Sequence, residues 1–212
     1  MDNHYLVEQL ALHKIQITDQ QLQQLSQYIE LLQRWNKAYN LIANAETKHI
    51  IDRHIIDSLL VMPYLQGPRL VDVGTGAGLP GIPLAIMCPH YQFTLLDSNG
   101  KKTRFITQAK VALKLSNLEV IQARVEEYHP ELLFNAIISR AFASLEEMIN
   151  LTKHLCAVNG KFIALKGDAV QSEIENIPAG FICERYERLP FFETHINRQI
   201  VIIKQSSMAK SP

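Results

Sequence analysis

The sequence predicts an α/β protein in which a doubly wound, mostly parallel sheet follows a helical N-terminal extension. Three observations carry this. From Arg69 onward, short apolar runs alternate with helical segments; the first 65 residues contain no run with strand period; and the first apolar run ends in a turn holding four glycines, Gly74, Gly76, Gly78 and Gly81.

In the extension, Leu22, Leu25, Ile29, Leu32 and Tyr39 recur mostly three and four apart, the spacing of one helix face. Thr18 with Gln21 supplies a capping-box start for that helix. A second helical pattern, Ile51, Ile55, Leu59, Met62, runs to Pro63, whose missing amide hydrogen discourages continuation. The runs RLVDV, QFTLLD, LEVIQA, FNAIIS and KFIALK then read as buried strands at the spacing of βαβ units. Between the second and third, residues 98–115 offer Phe105, Ala109, Ala112 and Leu113 to the sheet. Between the fourth and fifth, Ser144 with Glu147 opens another helix with a capping box. The last segment, FICERYERLPFFETHINRQIVIIK, contains two strands and no clear helix, which predicts a closing antiparallel pair. The expected organisation is an extension over 1–65, a sheet domain over 66–206 and a tail over 207–212.

Composition narrows the function classes. The chain has 212 residues, 47% of them apolar, enough to bury one sizeable core. Lys plus Arg and Asp plus Glu number 21 each, so no overall basic field holds a polyanion, and any nucleic-acid contact must come from local patches. Cys88, Cys156 and Cys183 are odd in number and lack metal-ligand spacing, which fits buried thiols in a reducing compartment and no metal site. The segment MDNHYLVEQLALHKIQ carries acids and no long apolar stretch, so neither a signal peptide nor a membrane span is expected there. A cytoplasmic protein is the expectation.

Doubly wound sheets bind ligands at the carboxyl ends of strands where the strand order reverses, which directs attention to the glycine turn after the first strand. Gly76, Gly78 and Gly81 satisfy G-x-G-x-x-G, and Asp97 follows at about the ~20-residue distance of a ribose-binding acid. Taken alone, this supports an NAD-type oxidoreductase as well as any other nucleoside-binding enzyme. Asp72 shifts the balance. A carboxylate two residues before the first glycine repels a pyrophosphate, whereas it suits the amino group and sulfonium of S-adenosylmethionine. Pro80 and Pro83 also lack amide donors that a pyrophosphate would use. A P-loop is excluded because no Gly-Lys-Ser/Thr follows the glycines. On the same scheme Asp97 accepts the ribose hydroxyls or caps the next helix beside Ser98. Val125 offers an amide to adenine N1, and Glu126 either meets the adenine amino group or is a solvated acid at a helix start.

At the end of the fourth strand, enzymes that methylate exocyclic base amines carry an Asn/Asp-Pro-Pro-aromatic run. IISRAFASL stands here instead, so an amine nucleophile is disfavoured, and no cysteine lies near this turn to serve a covalent route to carbon. A ring nitrogen with a free lone pair, such as guanine N7, needs neither, and alignment alone supplies up to ~7–11 kcal/mol. Such a reaction requires no general base. Arg140 in this turn is aimed at the cofactor carboxylate or an RNA phosphate, since a guanidinium beside a guanine becoming cationic opposes the reaction.

The motifs RWNKAYNLI, RHIIDSLLVMPYLQG, DVGTGAGLPGIPLAI, TLLDSNGKKTRF, ARVEEY, ISRAFASL, ALKG and RQIVIIK, in that order, resemble the bacterial 16S rRNA guanine-N7 methyltransferase family RsmG (GidB, glucose-inhibited division protein B). The resemblance covers nearly everything from Gln33 to Lys204. It implies a seven-stranded Rossmann-like, S-adenosylmethionine-dependent methyltransferase fold with an N-terminal helical extension, and methyl transfer to N7 of guanine 527 in 16S rRNA. It places cofactor contacts on Gly74, Leu79, Val125, Glu126 and Arg140, beside Asp72, Gly76 and Asp97 from the reading above. Candidate RNA contacts are Arg53, His54, Lys101, Lys102, Arg104, Lys166 and Arg198, although Arg53 can instead pair with Asp57 four residues on. A neutral chain with scattered cations further suggests that a small-subunit ribosomal particle or precursor, not naked RNA, is the partner. A same-fold methyltransferase acting on a small molecule or protein is the alternative, with the oxidoreductase behind it.

Overall fold

The computed structural model of the chain describes residues 3–140, 142–167, 170–190 and 198–206, so the expected tail over 207–212 lies outside the described residues. Two helices open it, α1 (His4–Leu12) and α2 (Asp19–Tyr39). α2 starts as its sequence predicts: Thr18 Oγ1 accepts from the Gln21 amide, and the Gln21 side chain accepts from the Thr18 amide. The pattern ending at Pro63 is helical but not α throughout. α3 (Thr47–Ile50) widens into a π-helical stretch (Ile51–Ile56), returns to α4 (Asp57–Leu59) and ends in a 3₁₀ turn (Met62–Tyr64) around the proline.

The strands follow: β1 (Arg69–Val73), β2 (Gln92–Asp97), β3 (Leu118–Gln122), β4 (Phe134–Ser139), β5 (Cys156–Lys166), β6 (Phe181–Arg188) and β7 (Gln199–Gln205). Helices α5 (Gly81–Met87), α6 (Gly100–Ala112), α7 (Leu145–Thr152) and α8 (Gln171–Glu175) connect them. The seven strands form one sheet in the order β3-β2-β1-β4-β5-β7-β6. β7 pairs antiparallel with both β5 and β6, closing the sheet as the tail sequence predicts, and the remaining pairs are parallel. The order reverses between β1 and β4, which places the ligand crevice at their carboxyl ends. β5 begins at Cys156, earlier than KFIALK suggests, because Asn159 at φ 65° and Gly160 interrupt the apolar pattern while its register to β4 shifts.

Strand residues alternate between two apolar layers. Leu70, Leu95, Ala136, Ile138 and Ile163 face a cluster shared with α1, α2, α5 and α6. Val71, Val73, Ile137, Phe162 and Val201 face a smaller one with Leu145, Met148 and Ile149 of α7. The extension is therefore built into the first layer: Leu25, Tyr28, Ile29 and Leu32 are fully buried among Ile82, Leu84, Phe105 and Ile106. Its side-chain amides also serve the sheet-side helices. Gln21 Nε2 donates to the Ile86 and Met87 carbonyls at the end of α5, and Gln24 Nε2 donates to Leu113 O (2.7 Å) past the end of α6. Carbonyls in a last helical turn have no intrahelical partner, so α2 satisfies them.

At α7 the predicted cap forms with a shift. Ser144 Oγ accepts the Glu147 amide (3.0 Å), while the Glu147 carboxylate reaches one residue further back, to the Ala143 amide (3.1 Å).

Leu25→Ala, which empties the layer between α2 and the sheet, is expected to lower unfolding free energy by about 2–5 kcal/mol in urea denaturation. Val111→Ala, on the exposed face of α6, should stay within about 0.5 kcal/mol of the parent.

Candidate active site

At the carboxyl ends of β1, β2 and β3 the backbone opens into two lobes of about 210 and 200 Å³ that share Gly74. The first is walled by Val73, Leu96, Asp97, Ser98, Ala123, Arg124, Val125, Glu126 and, from the β4 side, Phe142. Leu41, Ile42, Thr75, Gly76, Ala77, Leu79 and Arg140 wall the second.

Burial and local hydrogen bonds set the glycine turn between them. Asp72 is 1% exposed; its Oδ2 accepts from the Thr75 hydroxyl (2.6 Å) and the Gly81 amide (2.9 Å). Gly81 has to be glycine, because a Cβ there would stand 2.7 Å from Leu95 and 2.9 Å from that same Oδ2. Gly76 holds φ 61° and sends its amide to Asp97 Oδ2 (2.9 Å). From the extension, the buried Tyr28 hydroxyl donates to Ala77 O (2.7 Å), so α2 fixes the far side of the turn.

Asp72 thus stands beneath the turn and on the wall of neither lobe, so any charge it offers a ligand acts through the turn and not by direct contact. Its first task is to brace the loop. Oδ1 is buried without a hydrogen-bond partner, and burial lifts the carboxyl to about 6 against the pull of Thr75 and Gly81. A positive charge bound above the turn meets a buried, half-satisfied carboxylate, whereas a pyrophosphate finds the Gly81 amide already taken. The donor set fits S-adenosylmethionine and not a dinucleotide.

Asp97 lines the first lobe with its oxygens shared between the Gly76 amide and the Asn99 amide (2.8 Å), leaving lone pairs for a diol. It does not cap the next helix; Asn99 does, accepting from the Lys101 and Lys102 amides. Val125 and Glu126 form a 3₁₀ turn after β3 on the opposite wall.

Arg140 lines the second lobe and is held by a partner that the sequence does not reveal. Asp57, fully buried, receives Arg140 Nη1 on Oδ2 (3.1 Å) and Arg198 Nε on Oδ1 (2.9 Å). Arg53 is exposed and Asp57 is engaged by Arg140 and Arg198, so the alternative pairing four residues on does not form; the π-helical stretch between them breaks α register. His54, beside this group, has both ring nitrogens buried without partners, and burial, with Arg140 and His49 adding to it, lowers it to about 4. This favours the neutral imidazole and the reading of His54 as a packed helix-face histidine.

The remaining basic candidates separate. Lys101 and Arg104 are exposed near the start of α6, and Lys102 lies 3.9 Å from Asp97 at the rim of the first lobe. Lys166 is almost buried, its ammonium on the carbonyls of Phe142 (3.1 Å) and Ala143 (3.2 Å) and on Glu173 (2.8 Å). Phe142 and Asp57 are the site residues that sequence reasoning missed. The aromatic in SRAF, standing where base-amine methyltransferases carry an aromatic after the fourth strand, is the available signal for Phe142.

Residues 21–201 match the profile of the GidB family, described as rRNA small subunit methyltransferase G. A ribosomal RNA small subunit methyltransferase G from Photobacterium profundum is 48% identical over 198 residues, covering 93% of this chain and 96% of that protein. Its counterpart from Klebsiella pneumoniae subsp. pneumoniae is 49% identical over 198 residues, 91% of this chain and 93% of its own. In fold, the chain is similar to a SAM dependent methyltransferase from Aquifex aeolicus, with a TM-score of 0.58 at 15% identity over 73% of this chain and 92% of the other. A profile match of this length, together with relatives of nearly equal extent at almost half identity, means that the chain belongs to the rRNA small subunit methyltransferase G family.

Proposed function

We propose that the chain transfers a methyl group from S-adenosylmethionine to N7 of guanine 527 in 16S rRNA, within a small-subunit ribosomal particle. The observation that supports the choice of atom is the turn after β4, which carries Ser139, Arg140 and Phe142 where an enzyme for exocyclic amines has an Asn/Asp-Pro-Pro-aromatic run; the second lobe beside it is lined, among the described residues, by no carboxylate and no imidazole. An amine or hydroxyl would need a base there to lose its proton; a ring nitrogen has none to lose.

S-adenosylmethionine supplies an electrophilic methyl on a cationic sulfur. The chain's own residues do the rest. Asp97, Val125 and Glu126 hold the nucleoside half in the first lobe, and the turn at Gly74 and Gly76 lets the ligand cross to the second. Leu79 and Arg140 face its amino acid end, and Asp72 supplies negative charge from below. Leu41 and Ile42 add an apolar wall to the second lobe. Asp57 tempers the guanidinium of Arg140, so a guanine that becomes cationic as it takes the methyl meets a partly compensated charge. Lys101, Lys102, Arg104 and Arg53 are the cations left to meet phosphates, joined by the outer nitrogens of Arg198.

Small-subunit particles from a strain lacking the protein, incubated with it and methyl-labelled S-adenosylmethionine, should yield 7-methylguanosine at guanine 527 on nucleoside analysis and primer extension. Label in another nucleoside, or in protein alone, sinks the proposal. Protein-free 16S rRNA should be the poorer substrate at equal salt.

Asp72 sets a pH dependence. Because burial raises its folded value to about 6, the neutral carboxyl is favoured; stability from this group is full below the unfolded value of about 3.9 and is lost as pH rises through about 6. The difference between the parent and Asp72→Asn in unfolding free energy should therefore shift against the parent across that window. Binding of the cationic cofactor pulls the other way. Affinity should fall as pH drops below about 6, with proton release on binding seen by calorimetry in buffers of different ionisation heat, and Asp72→Asn should abolish both.

Asp57→Asn is expected to cost about 3 kcal/mol of stability, since it strands two guanidiniums, and to slow methyl transfer. Arg53→Ala should leave stability alone and lessen the salt dependence of RNA binding.

A further inference from the structure

The turn between β4 and α7 forms one wall of the first lobe, and its polar groups are tied down from outside the turn. Lys166 Nζ, at the end of β5, donates to the carbonyls of Phe142 (3.1 Å) and Ala143 (3.2 Å). The same ammonium meets Glu173 Oε2 (2.8 Å) on α8, and that oxygen also accepts the Leu145 amide (2.9 Å). Glu147 takes the Ala143 amide. The Lys166 side chain is only 10% exposed, so these charge-assisted bonds act in a poorly hydrated place and are correspondingly stiff. Between them they fix the backbone at Phe142 and Ala143, from which the Phe142 ring packs against the second apolar layer, and among the described residues Phe142 is the one aromatic ring on the lobe wall, which also carries Val125 and Glu126.

We infer that Phe142 is a contact for the purine ring of the methyl donor, and that Lys166 with Glu173 acts as the positioning device that sets this ring. Lys166 then serves the cofactor and does not touch RNA, although in sequence it looks like another cation at a strand end. The inference rests on reading the first lobe as the nucleoside half of the cofactor site. An aromatic ring held on the wall of a narrow lobe selects a planar heterocycle, and the contact strengthens with the precision of its placement.

The test uses the full-length protein and S-adenosylmethionine binding by calorimetry for the parent, Phe142→Ala, Lys166→Met, their double variant and Asp97→Asn. Phe142→Ala and Lys166→Met should each weaken binding about tenfold, and the double variant should be no weaker than either single, because both changes remove one contact. In steady state, the KM for S-adenosylmethionine should rise while kcat holds. The salt dependence of RNA binding should be unchanged in Lys166→Met, where loss of a phosphate contact would lessen the slope by about one. Should Lys166→Met fail to fold, Glu173→Gln carries the test, with a smaller loss of cofactor affinity and the same non-additivity with Phe142→Ala. Intact cofactor binding in both positioning variants, additive losses, or a changed salt slope overturns the inference. Intact binding in Asp97→Asn instead overturns the reading of the lobe itself.

Discussion

A carboxylate with no access to water holds this molecule's active edge together. Asp57 belongs to the helical extension, Arg140 to the turn after β4 and Arg198 to the start of β7, three places far apart in sequence. Two guanidiniums on one buried carboxylate leave a net positive charge whose position is fixed by the fold and not by flexible side chains. Without Asp57 the two guanidiniums would stand near each other uncompensated. The buried charge is tolerable because each carboxylate oxygen has its own donor.

The glycine turn depends on a similar division of roles. Asp72, Thr75, Gly81, Tyr28 and Asp97 each take part in bonds that hold it, from β1, the turn itself, α5, α2 and β2. The loop can therefore lack side chains where a ligand must come close and still be rigid. Its neighbours, not its own residues, specify its shape.

Much of this is legible in the chain. The apolar runs mark β1, β2 and β4 at their true positions, because each of these strands is bounded by turn residues and faces two apolar layers, and the last segment forms the antiparallel closing pair it predicts. The cap at Thr18 is readable because its bonds are local. Tertiary pairings are not. A helical period of apolar residues fixes which side of the 51–62 segment is buried but not whether its bonds run i→i+4 or i→i+5, so sequence spacing pairs Asp57 with the wrong arginine. Lys166 resembles any cation at a strand end until the short helix α8 brings Glu173 to it. The glycine pattern announces a nucleoside; that Asp72 lies under the turn follows only from the depth at which β1 runs in the sheet.

The glutamine contacts of α2 have a consequence for synthesis. Gln24 closes the end of α6 at Leu113, a separation of 89 residues, and Gln21 closes α5 at a separation of 65. The ribosome delivers the extension before the sheet, at about 5–20 residues per second, so α2 waits several seconds without the sheet-side partners α5 and α6. Its final place is decided by segments not yet made. The stretch that reads as an appendage is, in the order of assembly, made before the sheet it packs on and locked only after it.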